Sequence, residues 1–230
     1  MILTINDIDI EVEYKNIKNM HLAVYPPDGR VHVSAPSGYT EDQIKLYVLK
    51  KWVWVSLKRD ELMSFNIQPE REFISGEAHY YKGQLYRLRV ITGDVTHPHA
   101  EISGDYILLY TKNGASRKQK EEILFSWYKE MLTPIVGKFV SKWEYILNVK
   151  LNEWEIRQMT ARWGSCSKEK KKAIFNLQLA KKPVRCIEYV VAHEMVHLIE
   201  RNHTKRFRAI MDLHLPEWEL IRKELNELPL

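Results

Sequence analysis

The sequence has few cysteines and no long apolar run. The first feature argues against a cysteine-based redox or zinc motif, and the second argues against a membrane-spanning protein. Its two cysteines, Cys166 and Cys186, are far apart and lack the CxxC spacing of a redox motif or a zinc knuckle. No apolar run approaches the ~18 residues that a membrane-spanning helix needs. The first residues, MILTINDIDIEVEYK, include early acidic residues and no apolar segment typical of a signal peptide. We therefore expect a soluble, cytoplasmic protein without a membrane partner.

The sequence also lacks a nucleic-acid reader motif and a strong charge of either sign. A formal net charge of +5 favours an anionic partner only slightly. Without a helix-turn-helix or a zinc finger, nucleic acid stays an alternative partner that no motif supports. With 45% hydrophobic and 28% charged residues, the 230-residue chain has an ordinary globular composition. Its length allows one large domain or two small ones.

Hydrophobic periodicity predicts that the first half is rich in β-structure. Alternation of apolar and polar residues predicts strands or hairpins over 2–14, 21–36, 80–91 and 101–112. Between them, Thr40 is predicted to cap a helix that continues to about Phe65.

The second half is predicted to be mainly helical, with two strands in its middle. The predicted elements are a helix from Ser116 to about Leu147, strands over 153–165 and 173–180, a helix from Pro183 to about Arg201, and helices from Thr204 and Pro216. Pro134 should kink or divide the first of these helices. We therefore expect an α+β fold, with a β-rich N-terminal subdomain over 1–112 that contains one helix, and a second domain over 113–230.

The segment HEMVH at 193–197 carries the clearest chemical signal in the chain. On a helix, His193 and His197 lie one turn apart on the same face, where two imidazoles can bind one metal ion. Glu194 is rotated by about 100° from His193, close enough to reach a water molecule at the metal without being a ligand. Apolar neighbours predict a largely buried helix, in which polar groups without a function would be costly.

A catalytic zinc site needs a third protein ligand and an open fourth position. We favour His203, ten residues after His193, with Glu200 as the alternative and His214 as a more distant candidate. The offset equals that of the H-E-x-x-H-x-x-G-x-x-H motif, although Glu200 replaces its glycine. His203 can reach the metal only if the helix ends first. Asn202 is predicted to make this turn, because asparagine tolerates a left-handed conformation.

This ligand set predicts a zinc-dependent hydrolase that binds one ion, with another divalent metal as the alternative. Zinc activates water, and Glu194 would accept the proton of that water as the general base. A further group should stabilise the oxyanion that develops in the reaction. Arg162, Tyr189 and His214 are the candidates that the sequence leaves open.

Several segments together resemble the YgjP-like metal-dependent peptidases, a zincin-type family. The segments are KNIKNMHLAVYPPDGRVHVSAPSG with the later KKWVW, RWGSCS at 162–167, FNLQLAKKP at 175–183, and HEMVHLIERNHTKRF at 193–207. The resemblance extends over the whole chain. It implies a zincin-like metallopeptidase domain in which the HExxH helix packs on a small sheet. It also implies that His193, His197 and His203 bind the metal and that Glu194 is the catalytic base.

The resemblance further suggests residues that contact the substrate. It implies that the strand 153–165 is an edge strand beside the cleft, to which an extended peptide could add by main-chain pairing. The candidate substrate-binding residues are Arg162, Trp163, Gly164, Ser165 and Asn176. For Asn176 a purely structural role as a buried polar anchor is the favoured alternative. For Cys166 we prefer a small buried side chain over an extra metal ligand or a redox switch.

Three functions remain open, because the motif specifies an activated water and not a substrate. A metallopeptidase that acts on a peptide or protein substrate is favoured. The second is a metal-dependent hydrolase of a phosphoanhydride bond in nucleotides, since basic residues near the motif would suit an anionic nucleotide substrate. The third is a DNA-associated protease of the SprT-like kind, for which strong salt dependence of binding would be the signature.

Overall fold

The structure of the protein, a computed structural model, describes residues 1–6, 8–25, 29–65, 71–160 and 162–228. The chain divides between Arg71 and Glu72 into two compact units. The boundary predicted from the sequence lies near residue 113 instead. The reason for the difference is packing: Leu88 and Ile107, on strands of the 72–112 region, share one hydrophobic core with residues of the helical part of the chain.

The N-terminal unit contains a four-stranded sheet and two helices. Its strands are β1 (Ile2–Ile5), β2 (Ile8–Lys15), β3 (His21–Tyr25) and β4 (Arg30–Pro36), in the spatial order β1-β2-β4-β3. The single strand expected over 2–14 is two antiparallel strands, because Asn6 takes a left-handed conformation with a φ of 49°. The expected β3–β4 hairpin is present. Its predicted turn at 26–28 lies outside the described residues.

The helices of this unit are α1 (Glu41–Lys50) and α2 (Trp52–Phe65). Thr40 caps α1 as predicted, because its side chain accepts a hydrogen bond from the Gln43 amide and the Gln43 side chain accepts one from Thr40. The prediction of one continuous helix to Phe65 is wrong. Lys51 has a ψ of 11°, which departs from helical geometry and separates α1 from α2.

The second unit begins with another four-stranded sheet. Its strands are β5 (Ala78–Tyr81), β6 (Gln84–Gly93), β7 (His99–Ser103) and β8 (Tyr106–Lys112), in the order β5-β6-β8-β7. Both predicted hairpins, β5–β6 and β7–β8, are antiparallel pairs. Left-handed conformations at Lys82, Gly83 and Gly104 make the turns between these strands.

A long helix, α3 (Arg117–Leu147), follows this sheet and carries much of the core. Ser116 caps it, and Asn148 ends it in a left-handed conformation. Pro134 does not divide the helix as the sequence allowed. Leu132 and Val136, on either side of the proline, are both fully buried, so packing against the core holds the helix together there.

The last part of the chain contains the strands and helices that carry the candidate site. It contains β9 (Glu153–Arg157), β10 (Gly164–Ser167), β11 (Lys172–Asn176), a 3₁₀-helix (Leu177–Lys181), α4 (Val184–Val196), α5 (Lys205–His214) and α6 (Trp218–Glu227). The sheet order is β10-β11-β9, with β10 antiparallel and β9 parallel to β11. The predicted strand over 153–165 is therefore two separate edge strands. The predicted strand over 173–180 ends at Asn176.

The α+β class predicted from the sequence is confirmed, as are the β-rich N-terminal region and the packing of the HExxH helix on a small sheet. Helix α4 contacts β10 and β11 on one side and α3 on another. Nine of its residues are buried, which agrees with the apolar pattern in the sequence. Among the described residues, no helix combines the length and apolar character that crossing a bilayer would require.

Candidate metal centre

Helix α4 presents the first two histidines of the motif on one face and then ends. Tyr189, His193 and His197 recur every four residues, so they follow one another along the helix surface. The prediction that the helix continues to Arg201 is wrong. It ends at Val196 with His197 as its C-cap, and the Ile199 amide then bonds the Val196 carbonyl three residues back. These tighter bonds end the helix earlier than the asparagine signal suggested.

The turn that returns His203 to the site differs from the predicted one. Asn202 is not left-handed. Instead, the Thr204 amide donates to the Asn202 carbonyl at 2.7 Å, a three-residue turn centred on His203. Thr204 then caps α5, since its hydroxyl accepts from the Phe207 amide. His203 therefore lies between a tight turn and a capped helix.

The three histidines predicted as ligands converge. Donor atoms from His193, His197 and His203 all lie within 4.8 Å of one another. The Nε2 atoms of His193 and His203 are 2.9 Å apart. Within the described ranges, no other group of three His, Cys, Asp or Glu side chains converges in this way. Neither Glu200 nor His214 belongs to the cluster.

The protonation of the cluster suits a metal ion. Nδ1 of His197 lies 3.1 Å from the Glu200 carbonyl oxygen, which can only accept, so the ring donates this hydrogen bond from Nδ1. Burial, followed by the neighbouring His197 and His203, lowers the pKa of His193 to about 3. Burial is also the main cause that lowers the pKa of His203. Three converging imidazoles, two of them with lowered pKa values, are a donor set that fits zinc or another divalent metal.

Phe207 is the residue of this centre that sequence reasoning missed. Its ring centroid lies 5.0, 4.9 and 4.7 Å from those of His193, His197 and His203. The side chain is 1% exposed, so it forms an apolar wall that restricts all three imidazoles. The available signal was its place four residues after His203, which puts it in the first turn of the next helix.

Glu194 lies beside the histidines with its carboxyl group buried and unpaired. The side chain is 6% exposed and forms no hydrogen bond or ion pair with the described residues. Burial raises the pKa of this carboxyl to about 8, and the charge of Arg162 opposes part of that increase. A carboxylate with a pKa near neutrality at a cavity wall has the properties of a general base.

Gly164, the first residue of β10, makes room for this carboxyl group. A Cβ atom built on Gly164 would lie 2.8 Å from both Cγ and Oε1 of Glu194. Real Cβ contacts do not approach so closely. Gly164 was predicted only as a substrate-binding residue, and the sequence carries no signal for its proximity to Glu194.

A cavity of about 980 Å³ opens in front of these groups. It is lined by the three histidines and Glu194, and also by Arg162, Trp163, Gly164 and Ser165 from the predicted substrate-binding set. Tyr189 and Cys166 line it as well. A site open on one side suits catalysis better than a closed structural metal site.

Comparison of the sequence with known families gives a match over most of the chain. The model "YgjP-like, metallopeptidase domain" matches residues 18–228. The chain belongs to the YgjP-like metallopeptidase family. Membership indicates a metal-dependent peptidase in general, with a divalent metal as cofactor. No match was found among curated protein sequences.

Two archaeal proteins of solved structure are similar to part of this YgjP-like chain. The metallopeptidase zymogen jannalysin of Methanocaldococcus jannaschii is 20% identical, with a TM-score of 0.36 over 39% of this chain and 92% of its own. The metallopeptidase zymogen abylysin of Pyrococcus abyssi is 17% identical, with a TM-score of 0.36 over 38% of this chain and 89% of its own. Family membership therefore rests on the sequence match.

Asn176, the fifth substrate-binding candidate, does not line the cavity of the YgjP-like chain. Its side chain donates to the carbonyls of Met159 and Arg162 at 2.9 and 2.8 Å, and accepts from the Met159 and Gln178 amides. These bonds fix the segment that leads into β10. Asn176 is therefore the buried polar anchor that was its alternative interpretation, and it acts on the cavity only by holding Arg162.

The three candidates for stabilising an oxyanion differ in whether they line the cavity. Arg162 and Tyr189 line the cavity. His214 does not line it and packs edge-to-face on Trp143 instead. Burial is the main cause that raises the pKa of Tyr189 to about 12, so its hydroxyl stays protonated and can donate a hydrogen bond.

Cys166 lines the cavity but does not converge with the histidines. Burial, and then the charges of Glu194 and Glu169, raise the pKa of its thiol to about 12. Metal ligation requires the thiolate form. The uncharged thiol agrees with the role of a small, half-buried side chain.

Replacing His203 with alanine should weaken zinc binding by at least about tenfold, because one of three converging imidazoles is lost. Titration against a chromophoric chelator measures the affinity. His214→Ala is the matched control, since His214 lies on the same C-terminal segment and outside the cluster; its affinity should equal that of the native protein. Equal zinc affinity of the native protein and the His203 variant would exclude His203 as a ligand.

Proposed function

We propose that the protein is a zinc-dependent peptidase that uses Glu194 to activate a water molecule. The observation that carries this proposal is the convergence of three imidazoles and one buried, unpaired carboxyl group on the same open cavity. A site that only stabilised the fold would not need such a carboxyl group, because burying it without a partner costs free energy.

His193, His197 and His203 would hold one zinc ion through the ring nitrogens that face one another. Zinc held there would supply the Lewis acidity that activates water and polarises a peptide carbonyl. Glu194 accepts the proton from water and later passes it to the leaving amine. Its raised pKa supports both steps, because the carboxyl group can hold a proton near neutral pH and release it again.

The peptide would lie along β10 and not along β9. Among the strands that the structure describes, β10 is at the edge of its sheet and pairs only with β11, and all four of its residues line the cavity. An extended peptide can add to such an edge by main-chain hydrogen bonds. Arg162 and Tyr189 are the groups available to stabilise the developing oxyanion.

Cleavage of unfolded proteins and quenched peptides by the purified protein tests this proposal. We expect cleavage by the zinc-loaded protein, loss of at least about 90% of it after the metal is removed, and recovery when one equivalent of zinc is returned. A protein that binds one zinc ion and cleaves none of a broad panel of peptides would contradict a peptidase function.

Hydrolysis of a phosphoanhydride bond in a nucleoside triphosphate is the second candidate function. The observation that favours it is an excess of cationic side chains in the cavity, which has five arginine or lysine residues and three glutamates. Release of phosphate or pyrophosphate by the same zinc-loaded preparation separates it from the first candidate.

A further inference from the structure

The side chains of three arginines at the cavity form no hydrogen bond or ion pair within the described part of the chain. They are Arg162, before β10, Arg208 on α5 and Arg222 on α6, and we refer to them as the arginine trio. The two other cations of the cavity are engaged: Arg201 pairs with Glu169 at 3.7 Å, and Lys168 donates to the Ile199 carbonyl at 2.8 Å.

The carboxylates of the cavity do not neutralise the arginine trio. Glu169 pairs with Arg201, and the Glu194 side chain is buried and forms no ion pair with any of the three arginines. Only Glu219 remains, and it forms no ion pair with the described residues. A divalent metal ion would add further positive charge. The cavity is therefore electropositive, and this field favours an anionic ligand group.

The arginine trio shares one cavity with the groups assigned to the chemistry. All three arginines line the cavity that His193, His203 and Glu194 also line. Arg208 directly follows Phe207, whose ring centroid lies 4.7 Å from that of His203. A substrate bound at the metal centre would therefore lie in the same cavity as the three guanidinium groups.

The position of α6 relative to the metal helix is fixed by aromatic packing. Trp218 stacks on Tyr189 with the ring centroids 6.4 Å apart and an angle of 10° between the planes. Trp218 and Arg222 are four residues apart on one face of α6, and both line the cavity. Arg222 is therefore held beside the same helix that carries His193.

We propose that the arginine trio forms an anion subsite that takes a carboxylate or phosphate group of the substrate beside the bond that is cleaved. The proposal rests on the proposed function to the extent that this cavity binds the substrate. Guanidinium groups match both oxyanions with two parallel hydrogen bonds. A single exposed arginine on a helix is ordinary, whereas here three arginines without a side-chain partner, from three separate segments of the described chain, line one cavity.

Binding to the zinc-loaded Glu194→Gln protein tests the subsite without hydrolysis. The probes are a peptide with Asp and Glu residues, its Asn and Gln counterpart, both with an uncharged fluorophore, and a nucleoside triphosphate as competitor. We expect the acidic peptide or the triphosphate to bind at least about tenfold more tightly than the amide peptide, and this preference to weaken as salt is added.

Arginine-to-glutamine substitutions test whether the preference for anionic ligands depends on the arginine trio. Arg162→Gln, Arg208→Gln and Arg222→Gln should each reduce anion binding several-fold, and the triple variant should remove the preference. Arg206→Gln and Lys223→Gln are matched controls, because they lie on the same two helices but do not line the cavity. They should bind as the parent protein does.

The outcomes distinguish a carboxylate from a phosphate ligand. They also distinguish failure of the anion subsite from failure of the peptidase function. Trio-dependent binding of the acidic peptide identifies a carboxylate, and trio-dependent binding of the triphosphate identifies a phosphate. Either result with no peptide cleavage overturns the peptidase function while the subsite stands. Equal binding by the parent and the triple variant, or equal losses in the control variants, overturns the subsite.

Discussion

Replacing Glu194 with glutamine is expected to lower kcat by about 10³-fold and to leave zinc binding unchanged. Glutamine has nearly the same shape, so it fits beside Gly164 and keeps the cavity wall intact. Its amide cannot accept the proton of the attacking water. Because Glu194 is not among the converging ligand atoms, the metal should remain. Steady-state kinetics and zinc content, measured on one preparation, check both parts.

Glu200→Gln is the matched control for this substitution. Glu200 lies in the same stretch of chain, and it neither lines the cavity nor joins the histidine cluster. Its side chain is therefore expected to be replaceable without loss of turnover. If Glu194→Gln keeps more than about a tenth of the native kcat, another group is the general base.

Gly164→Ala is expected to lower kcat by about 10²-fold with little loss of stability. The new Cβ would lie 2.8 Å from Cγ and Oε1 of Glu194, so one of the two side chains must move. The carboxyl group is the end of a flexible side chain and is the part that moves most easily. Displacing a catalytic group by about 1 Å can cost this much rate. The readouts are kcat, zinc content and Tm.

Gly93→Ala is the control for the effect of a glycine-to-alanine substitution that makes no new close contact. Gly93 ends β6, and no atom lies within 4 Å of a Cβ built there. We expect native kcat and native zinc content for that variant. The interpretation of Gly164 is wrong if Gly164→Ala turns over substrate at the native rate, or if it loses zinc and stability together with activity, since the defect would then be structural.

The sequence predicted the local parts of the site because their signals are local. His193 and His197 face the same way by helical periodicity alone, and Glu194 follows from the same geometry. The third histidine depended on how the chain turns back. The helix does end before His203, as predicted, but Asn202 is not the residue that ends it. The backbone hydrogen bond from the Ile199 amide to the Val196 carbonyl, three residues back, already ends the helix.

Contacts between distant parts of the chain could not be predicted from the sequence. Gly164 and Glu194 are far apart in sequence, and only the packing of α4 on β10 brings them together. Asn176 bonds back to Met159 and Arg162, so its role depends on a loop conformation that periodicity does not describe. The edge strand at the cavity, β10, was merged with β9 for the same reason.

The division of the chain was also decided by long-range packing. Strands of the 72–112 region have the same alternating pattern as strands of the N-terminal sheet, and composition does not distinguish them. They belong to the second unit because their buried faces join the core around α3. Periodicity predicts which face of a strand is buried, but it does not predict the partner against which that face packs.

X-ray absorption spectroscopy of the zinc-loaded protein tests the central claim most directly. We expect one zinc ion with three imidazole nitrogens and one oxygen ligand, at ~2.0–2.1 Å, and no sulfur. Alanine at His203 should remove one imidazole from the spectrum. Three results would contradict the assignment of His193, His197 and His203 as the metal centre. They are a zinc–sulfur distance of ~2.3 Å to Cys166, fewer than three imidazoles, and less than one zinc ion per protein.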